Sequence, residues 1–388
     1  MTHNRLGQYL RGNVTGGESY YAYIPAPLPP DPPLNMGRLY PLLDQANSAL
    51  GRLDGMSIML PDAALFIYMY VRKEAVLSSQ IEGIQSSLSD LLLFESDVAP
   101  GASINDVTEV SCYVAALNYG MERLKELPLS LRLIKEMHAH LMNNARGGNK
   151  QPGEFRASQN WIGGTRPENA QFVPPPPDKL MACLDQFEKF LHDETIQLPA
   201  LVKAALAHLQ FETTHPFLDG NGRLGRLLIT MILCVEGILR DPVLYLSLYL
   251  KTHRNRYYHL LQSVRESGNW EDWIEFFLRG VIETSLQAAE AAQAIVQLFA
   301  QDRIAIEQSG RSTASALSIH TFMQRRPILT TNMITEETGM SLPTALRNLT
   351  LLESLGIVRE ITGKDRNKVF AYHAYLDILN TGTKPLAR

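Results

Sequence analysis

The chain has 388 residues, 45% of them hydrophobic and 20% charged, a globular composition long enough for two or three domains; it excludes a mainly disordered, collagen-like or coiled-coil protein. Thirty-six Lys and Arg against 40 Asp and Glu leave a formal net charge of −4. The whole molecule is therefore no electrostatic magnet for DNA or acidic membranes, and any basic site must be local.

In chain order, Tyr20 to Pro33 (YYAYIPAPLPPDPP) holds six prolines, which remove amide donors and favour extended backbone. The segment reads either as a strap across a helical body or as a solvated leader. From Asn35 the apolar spacing of Leu39, Leu42, Leu43, Ala46 and Leu50 predicts a helix, and a second runs from about Asp62 to Ser79. Further helices are expected at Ile104 to Lys125, Ser130 to Asn144, Leu180 to His192, Pro199 to Gln210, Arg223 to Glu236 and Trp270 to Gln301. Between Gly147 and Pro177 the Gly- and Pro-rich GGNKQPGEFRASQNWIGGTRPENAQFVPPPP breaks the pattern, with FRASQNWIG and AQFV placed for a β-hairpin flap around GTRPEN. Long segments without helix are uncommon unless functional.

The last part reads differently. Helices at Ala314 to Gln324, Asn332 to Thr338 and Leu342 to Leu355, then two strands within IVREITGKDRNKVFAY, suggest a winged helix-turn-helix. Residues 301–388 carry eleven Lys and Arg against eight Asp and Glu, with Arg359, Lys364, Arg366 and Lys368 in the wing. DNA is one partner this would suit; dimerisation or packing is the other use of such a fold. No apolar stretch is long enough for a bilayer span, the longest, Leu227 to Val235, ending at Glu236. Cys112, Cys183 and Cys234 form no C-x-x-C pattern. A cytoplasmic protein with reduced core thiols and no membrane association is expected.

The chemistry concentrates after the Pro199 helix, in FETTHPFLDGNGRLGRLLITMIL. Asp219-Gly-Asn-Gly222 is a turn opening into a helix, where glycines let backbone amides approach an anion. Arg223 and Arg226 lie in that helix's first turn, against the preference of its dipole, so something negative belongs between them; two guanidinium groups suit a polyphosphate. His215 is placed to act as a general base, and Asp219 supplies a hard oxygen for Mg²⁺. Together these residues describe phosphoryl or nucleotidyl transfer. A rival is metal-dependent phosphohydrolysis built on His138, His140, His208 and His215.

The run His215-Pro-Phe217-Leu-Asp219-Gly220-Asn221-Gly222-Arg223-Leu224-Gly225-Arg226 resembles the signature of the Fic (Fic/DOC) family, H-x-F-x-D/E-G-N-G/K-R-x-x-R, at every fixed position. The resemblance implies a mainly α fold: a Fic helical core with a β-hairpin flap, an N-terminal helical region and the C-terminal winged helix-turn-helix. The divisions would be 1–100, 101–302 and 303–388. It also implies AMP transfer from ATP, with Mg²⁺, to a Ser, Thr or Tyr hydroxyl of a protein, the chain itself included. His215 would take the hydroxyl proton, Phe217 would anchor the loop, and Asp219 would hold the metal. Gly220, Asn221, Gly222, Arg223, Leu224, Gly225 and Arg226 would surround the nucleotide. Ile162 in the flap would line its site, and Tyr257 and Tyr258 would border the adenine, with Arg265 where some relatives have Asn.

Ser78-Ser-Gln-Ile-Glu82-Gly83 is similar to the inhibitory motif S/T-x-x-x-E-G/N of a Fic subgroup. The resemblance implies that Glu82 pairs with Arg226 and leaves ATP bound unproductively. The same site run backwards, with Glu82 orienting water to remove AMP, and a nucleotide-sensing DNA-binding regulator are the alternatives. Pairing into a homodimer is a further expectation from the family.

Overall fold

A computed structural model describes residues 5–13, 19–59, 63–143, 150–310, 313–364 and 368–386. Two short strands, β1 (Gln8–Asn13) and β2 (Ser19–Ile24), form an antiparallel pair with Tyr9 opposite Tyr23. The proline segment thus starts as a strand and continues over the helical body, bending at 28–29 and 31–32 with cis peptide bonds before Pro29 and Pro32. It is tied down by the Gln210 side chain donating to the Ala26 carbonyl at 2.8 Å, and by Arg5, which donates to the Pro32 and Pro33 carbonyls and pairs with Glu271 at 2.7 Å. Prolines leave their carbonyls as their only backbone hydrogen-bonding groups, so the partners that hold the strap are side-chain donors.

The body follows as α1 (Met36–Met59), α2 (Ala63–Ile81), α3 (Leu88–Glu95), α4 (Ile104–Arg123), α5 (Leu131–Leu141), α6 (Pro177–His192), α7 (Ala200–Thr214), α8 (Asn221–Val235), α9 (Ser247–Thr252), α10 (Arg254–Ser267) and α11 (Trp270–Gln308). Leu39, Leu43, Ala46, Leu50 and Leu53 of α1 are buried and pack along α11. The short α3 has no long apolar period; Ser87 starts it through a capping box with Asp90. Helix α7 is buried continuously from Ala204 through Thr214, with the Trp273 indole donating to the Ala205 carbonyl at 2.9 Å. Helix α8 is buried over most of its length, so the turn joining α7 to α8 is held between two core helices.

The expected hairpin flap is reduced. Among the described residues it holds one bridge, Ile162 to Phe172, and a single 3-10 turn at Pro167–Asn169. Gly163 and Gly164 both have positive φ, and the Asn169 carboxamide oxygen accepts from the Thr165 and Arg166 amides, so local side-chain bonds replace ladder bonds. The start of the segment, residues 144–149, lies outside the described residues.

The C-terminal part contains α12 (Thr313–Arg325), β3 (Ile328–Thr330), α13 (Thr331–Thr338), α14 (Leu342–Ser354), β4 (Arg359–Glu360), β5 (Val369–Ala371) and α15 (His373–Leu379). Its antiparallel sheet has the order β3-β5-β4. The three expected helices are present within a residue or two, and β3 and α15 are additions. Arg366, expected in the wing, lies outside the described residues. Helix α11 runs through the expected 302/303 division, and Asp302 on it accepts a hydrogen bond from Tyr372. No described helix is long and apolar enough to cross a membrane. The three cysteines are free thiols, and burial pushes Cys183 and Cys234 up to about 11 and about 12.

Candidate active site

Helix α7 ends at His215, which adopts the left-handed conformation (φ 48°) while its amide still donates to the Phe211 carbonyl at 2.9 Å. The turn that follows is fixed from several sides. Asn221 closes it: its side-chain oxygen accepts from the Phe217 amide and its side-chain nitrogen donates to the Phe217 carbonyl, both at 2.8 Å. Arg156 donates to the His215 carbonyl and Asn160 to the Phe217 carbonyl, each at 2.9 Å. The Phe217 ring stacks on His138 with centroids 3.7 Å apart. His138 accepts from the Gly153 amide and donates to the Asp219 carbonyl at 3.0 Å, which defines its neutral tautomer.

Gly220 has φ 77° at the start of α8, and a Cβ there would come within 2.8 Å of the Met142 sulfur. Gly222 is required for another reason: a Cβ would lie 2.3 Å from a Glu82 carboxylate oxygen. Glu82, just past the end of α2, is thus laid over the start of α8. Its Oε1 accepts from Arg226 Nη2 at 2.7 Å. Arg226 also donates to the Ser78 hydroxyl at 2.8 Å and the Ser78 carbonyl at 2.9 Å. The Arg226 side chain is 1% exposed and that of Glu82 37% exposed. Burial would raise the Glu82 carboxyl, but Arg226, with Arg223 and His215 behind it, holds it below the usual range. Gly83 follows with φ 91° and turns the chain away.

A cleft of about 300 Å³ opens at this point, lined by Glu82, Glu109, His215, Asp219, Gly220, Asn221, Gly222 and Arg223 among others. Glu109 pairs with Arg223 at 3.0 Å, and Asp219 lies 3.9 Å from the same guanidinium. Burial, together with the charges of Arg265 and Arg156, pushes His215 down to about 4, while the Glu212 backbone and Glu82 act the other way. The imidazole is therefore neutral and able to accept a proton at pH 7. We expect the Cε1–H resonance of His215, assigned by its loss on substitution, to stay put between about pH 7.5 and about pH 5.5 in nucleotide-free protein; a midpoint near the ordinary value of about 6.5 would contradict this environment.

Several residues expected at the nucleotide have side chains engaged by the fold or off the cleft lining. Leu224 is fully buried and its amide bonds to the Gly220 carbonyl at 3.0 Å. Gly225 leaves room for Glu212, whose oxygen would lie 2.5 Å from a Cβ. Asn221 holds the loop with its side chain, so its carboxamide is engaged by Phe217. Replacing it with Ala removes the partner of the buried Phe217 amide, while Asn160 still serves the carbonyl. One orphaned buried donor costs about 1–3 kcal/mol, so Asn221→Ala should lower the thermal midpoint by about 1–4 °C in a chain of this size; an unchanged midpoint would show the clamp to be redundant.

Tyr257 is a core residue, its hydroxyl donating to His208 Nε2 at 2.8 Å. Tyr258 is 40% exposed, with the Arg254 guanidinium 5.3 Å from its ring centroid. Ile162 sits at the flap's bridge, and neither it nor the tyrosines are among the residues lining the cleft. Arg265 is buried against Phe172 at 3.8 Å and donates to Thr213, so it packs the flap onto α7 and α10. The four histidines of the phosphohydrolase reading have separate partners, His208 donating to the Gly225 carbonyl and His140 stacking on Tyr119. Among the described residues no three or more His, Cys, Asp and Glu side chains converge on a metal position.

Sequence reasoning missed Glu109, Arg156 and Asn160. Glu109 had a readable signal: it shares the buried face of α4 with Val107, Val110 and Tyr113, where an acid needs a cation. Arg156 and Asn160 act on backbone carbonyls across the fold, which leaves no pattern in the sequence.

Known proteins share sequence and fold with this chain. Residues 40–122 match the model of the Fic/DOC family N-terminal region, and residues 128–233 that of the Fic/DOC family. The protein adenylyltransferase Fic of Aedes aegypti is 33% identical over 242 residues, 60% of this chain and 44% of that protein. Its namesake in Drosophila erecta is 32% identical over 181 residues, 45% of this chain and 33% of that protein. The chain thus spans less than half the length of these relatives. A crystal structure of a Fic family protein from Desulfovibrio desulfuricans G20 superposes with a TM-score of 0.55 at 18% identity, covering 86% of this chain and 95% of that one. A Fic-1 fragment from C. elegans gives 0.50 at 25% identity, covering 67% and 76%. The chain belongs to the Fic/DOC family, with the family's N-terminal region and Fic domain in consecutive order.

Proposed function

We propose that the protein is an adenylyltransferase that moves AMP from ATP to a Ser, Thr or Tyr hydroxyl of a protein, itself included, and that Glu82 restrains it. The observation that carries this reading is the Glu82–Arg226 pair at 2.7 Å, laid over Gly222 at the start of α8. A guanidinium at a glycine-rich helix start is a place for a phosphate, and here a carboxylate of the same chain occupies it. The names of the relatives support the chemistry.

In the proposed reaction the neutral His215 imidazole accepts the proton of the target hydroxyl as its oxygen attacks the α-phosphorus, and pyrophosphate leaves. Backbone amides at the start of α8 and Arg223 orient and neutralise the phosphates, and Arg226 does so once Glu82 has withdrawn. Asp219 fits Mg²⁺: its carboxylate is 48% exposed at the rim of the cleft, whereas Glu82 and Glu109 there are each paired with an arginine, and such an ion usually takes one or two carboxylates plus phosphate oxygens. Bound there, the ion would offset charge on the polyphosphate. Mass spectrometry of the Glu82→Gly protein after incubation with ATP and Mg²⁺ tests the reading. An adduct of one AMP is expected; its absence, with ATP still binding, would overturn it.

A further inference from the structure

A second cavity, of about 510 Å³, lies away from the cleft, between α2, α9 and α11 on one side and α15 with Thr381 and Gly382 on the other. Its volume is in the range of small-molecule sites. Lys73 of α2 lines it and is 2% exposed. Among the described residues this lysine makes no hydrogen bond and no ion pair; its ammonium lies 4.4 Å from the Tyr245 ring centroid. One aromatic face satisfies a cation on one side only. A lysine this far buried, its ammonium reaching accessible space at the cavity with no carboxylate, is costly, and packing alone would be served by Met or Leu. Burial pushes the amine down to about 8, so much of it still carries charge at neutral pH.

The rest of the lining narrows the ligand class. Leu248, Ala291, Ala294 and Ile378 offer an apolar wall, while Glu283 and Glu290 are exposed on α11. Those two acids are exposed and screened by solvent, so they tolerate one carboxylate on the buried Lys73 but oppose a polyanion such as a nucleotide, which one amine cannot neutralise. We propose that this cavity binds a small organic monocarboxylate with an apolar body, its carboxylate on Lys73 and its hydrocarbon against α9, α11 and α15.

The position gives such a ligand a place to act. Lys73 is on the helix that carries Ser78, and the cavity wall at Gly382 continues into Thr383, whose carbonyl accepts from Gln80 of α2 at 2.7 Å. Lys251 of α9 joins the same cluster, donating to Gln80 at 2.6 Å and to the Gly382 carbonyl at 3.0 Å. An occupant would therefore touch both the C-terminal segment and the helix leading to Glu82.

Benzoate and butyrate are the probes, with chloride and phosphate at equal ionic strength as controls, and the full chain is titrated by calorimetry and followed in thermal unfolding. Benzoate or butyrate should bind and raise the midpoint, whereas phosphate should not. Lys73→Met, near-isosteric and uncharged, should weaken binding at least tenfold, and Ala291→Phe, which fills the cavity from a partly exposed position, should remove it. Each variant is compared with its own ligand-free baseline, so a change in stability does not mask the result. No binding to the native chain, or undiminished binding to both variants, would overturn the proposal. Neither measurement involves ATP or AMP transfer, so the outcome is independent of the adenylyltransferase reading.

Discussion

Glu82→Gly should raise the rate of self-labelling from ATP about tenfold or more over the native chain. The Arg226 guanidinium that a terminal phosphate would need is held by Glu82 at 2.7 Å and is itself 1% exposed. Removing the carboxylate leaves Arg226 anchored by the Ser78 hydroxyl and carbonyl, so it stays aimed at the start of α8 instead of collapsing. Breaking a fully buried pair is worth several kcal/mol, but the Glu82 side chain is 37% exposed and solvent screens it. A discounted value of about 1–2 kcal/mol corresponds to roughly a tenfold effect on rate. Incorporation of label from α-phosphate-labelled ATP measures it. Equal rates in the two proteins would remove Glu82 from any inhibitory role, and Glu82→Gln, which keeps the shape and loses the charge, should fall on the side of the glycine variant.

The part of this site that is legible in the sequence is the part made by consecutive residues. His215 to Arg226 lie in one turn and one helix start, and the physical requirements there are local: a glycine where φ is positive, a base before it, and cations where the helix dipole disfavours them. The Glu82–Arg226 pairing is readable only through family likeness, because 144 positions separate the partners. Neighbours in the motif do not all face the cleft with their side chains. In the first turns of α8, Arg223 lines the cleft, whereas Leu224 packs in the core and Gly225 accommodates Glu212. Helical periodicity alternates those faces and could have separated them.

The same distinction explains the fold. Long amphipathic helices such as α1 and α6 announce themselves through spacing, and the expected ends of α6 lie within a few residues of those observed. The short α3 and α9 depend on what packs around them. The flap was expected as a hairpin from its β-favouring residues; it keeps one antiparallel bridge, Ile162 to Phe172, while other backbone groups find side-chain and distant backbone partners, with the Tyr23 amide donating to the Val173 carbonyl at 2.9 Å. Propensity in such a segment is outweighed by where its hydrogen bonds can go.

In the Glu82→Gly background, His215→Asn should lower labelling by about 10²- to 10⁴-fold, the usual range for loss of a positioned general base. Asn is the better replacement than Ala because His215 has φ 48°, and a left-handed conformation is tolerated by Asn at little cost. The contacts that hold this position are made through the backbone: the amide donates to the Phe211 carbonyl, and the carbonyl accepts from Arg156 at 2.9 Å. The substitution leaves both in place, along with the Asn221 clamp on Phe217. Nucleotide binding should therefore persist with the chemistry lost, and the comparison of ATP affinity with the single-turnover rate separates these two effects. Retained labelling in the double variant would mean that another group takes the proton. Loss of ATP affinity in parallel with rate would mean that His215 shapes the site instead of acting in the reaction.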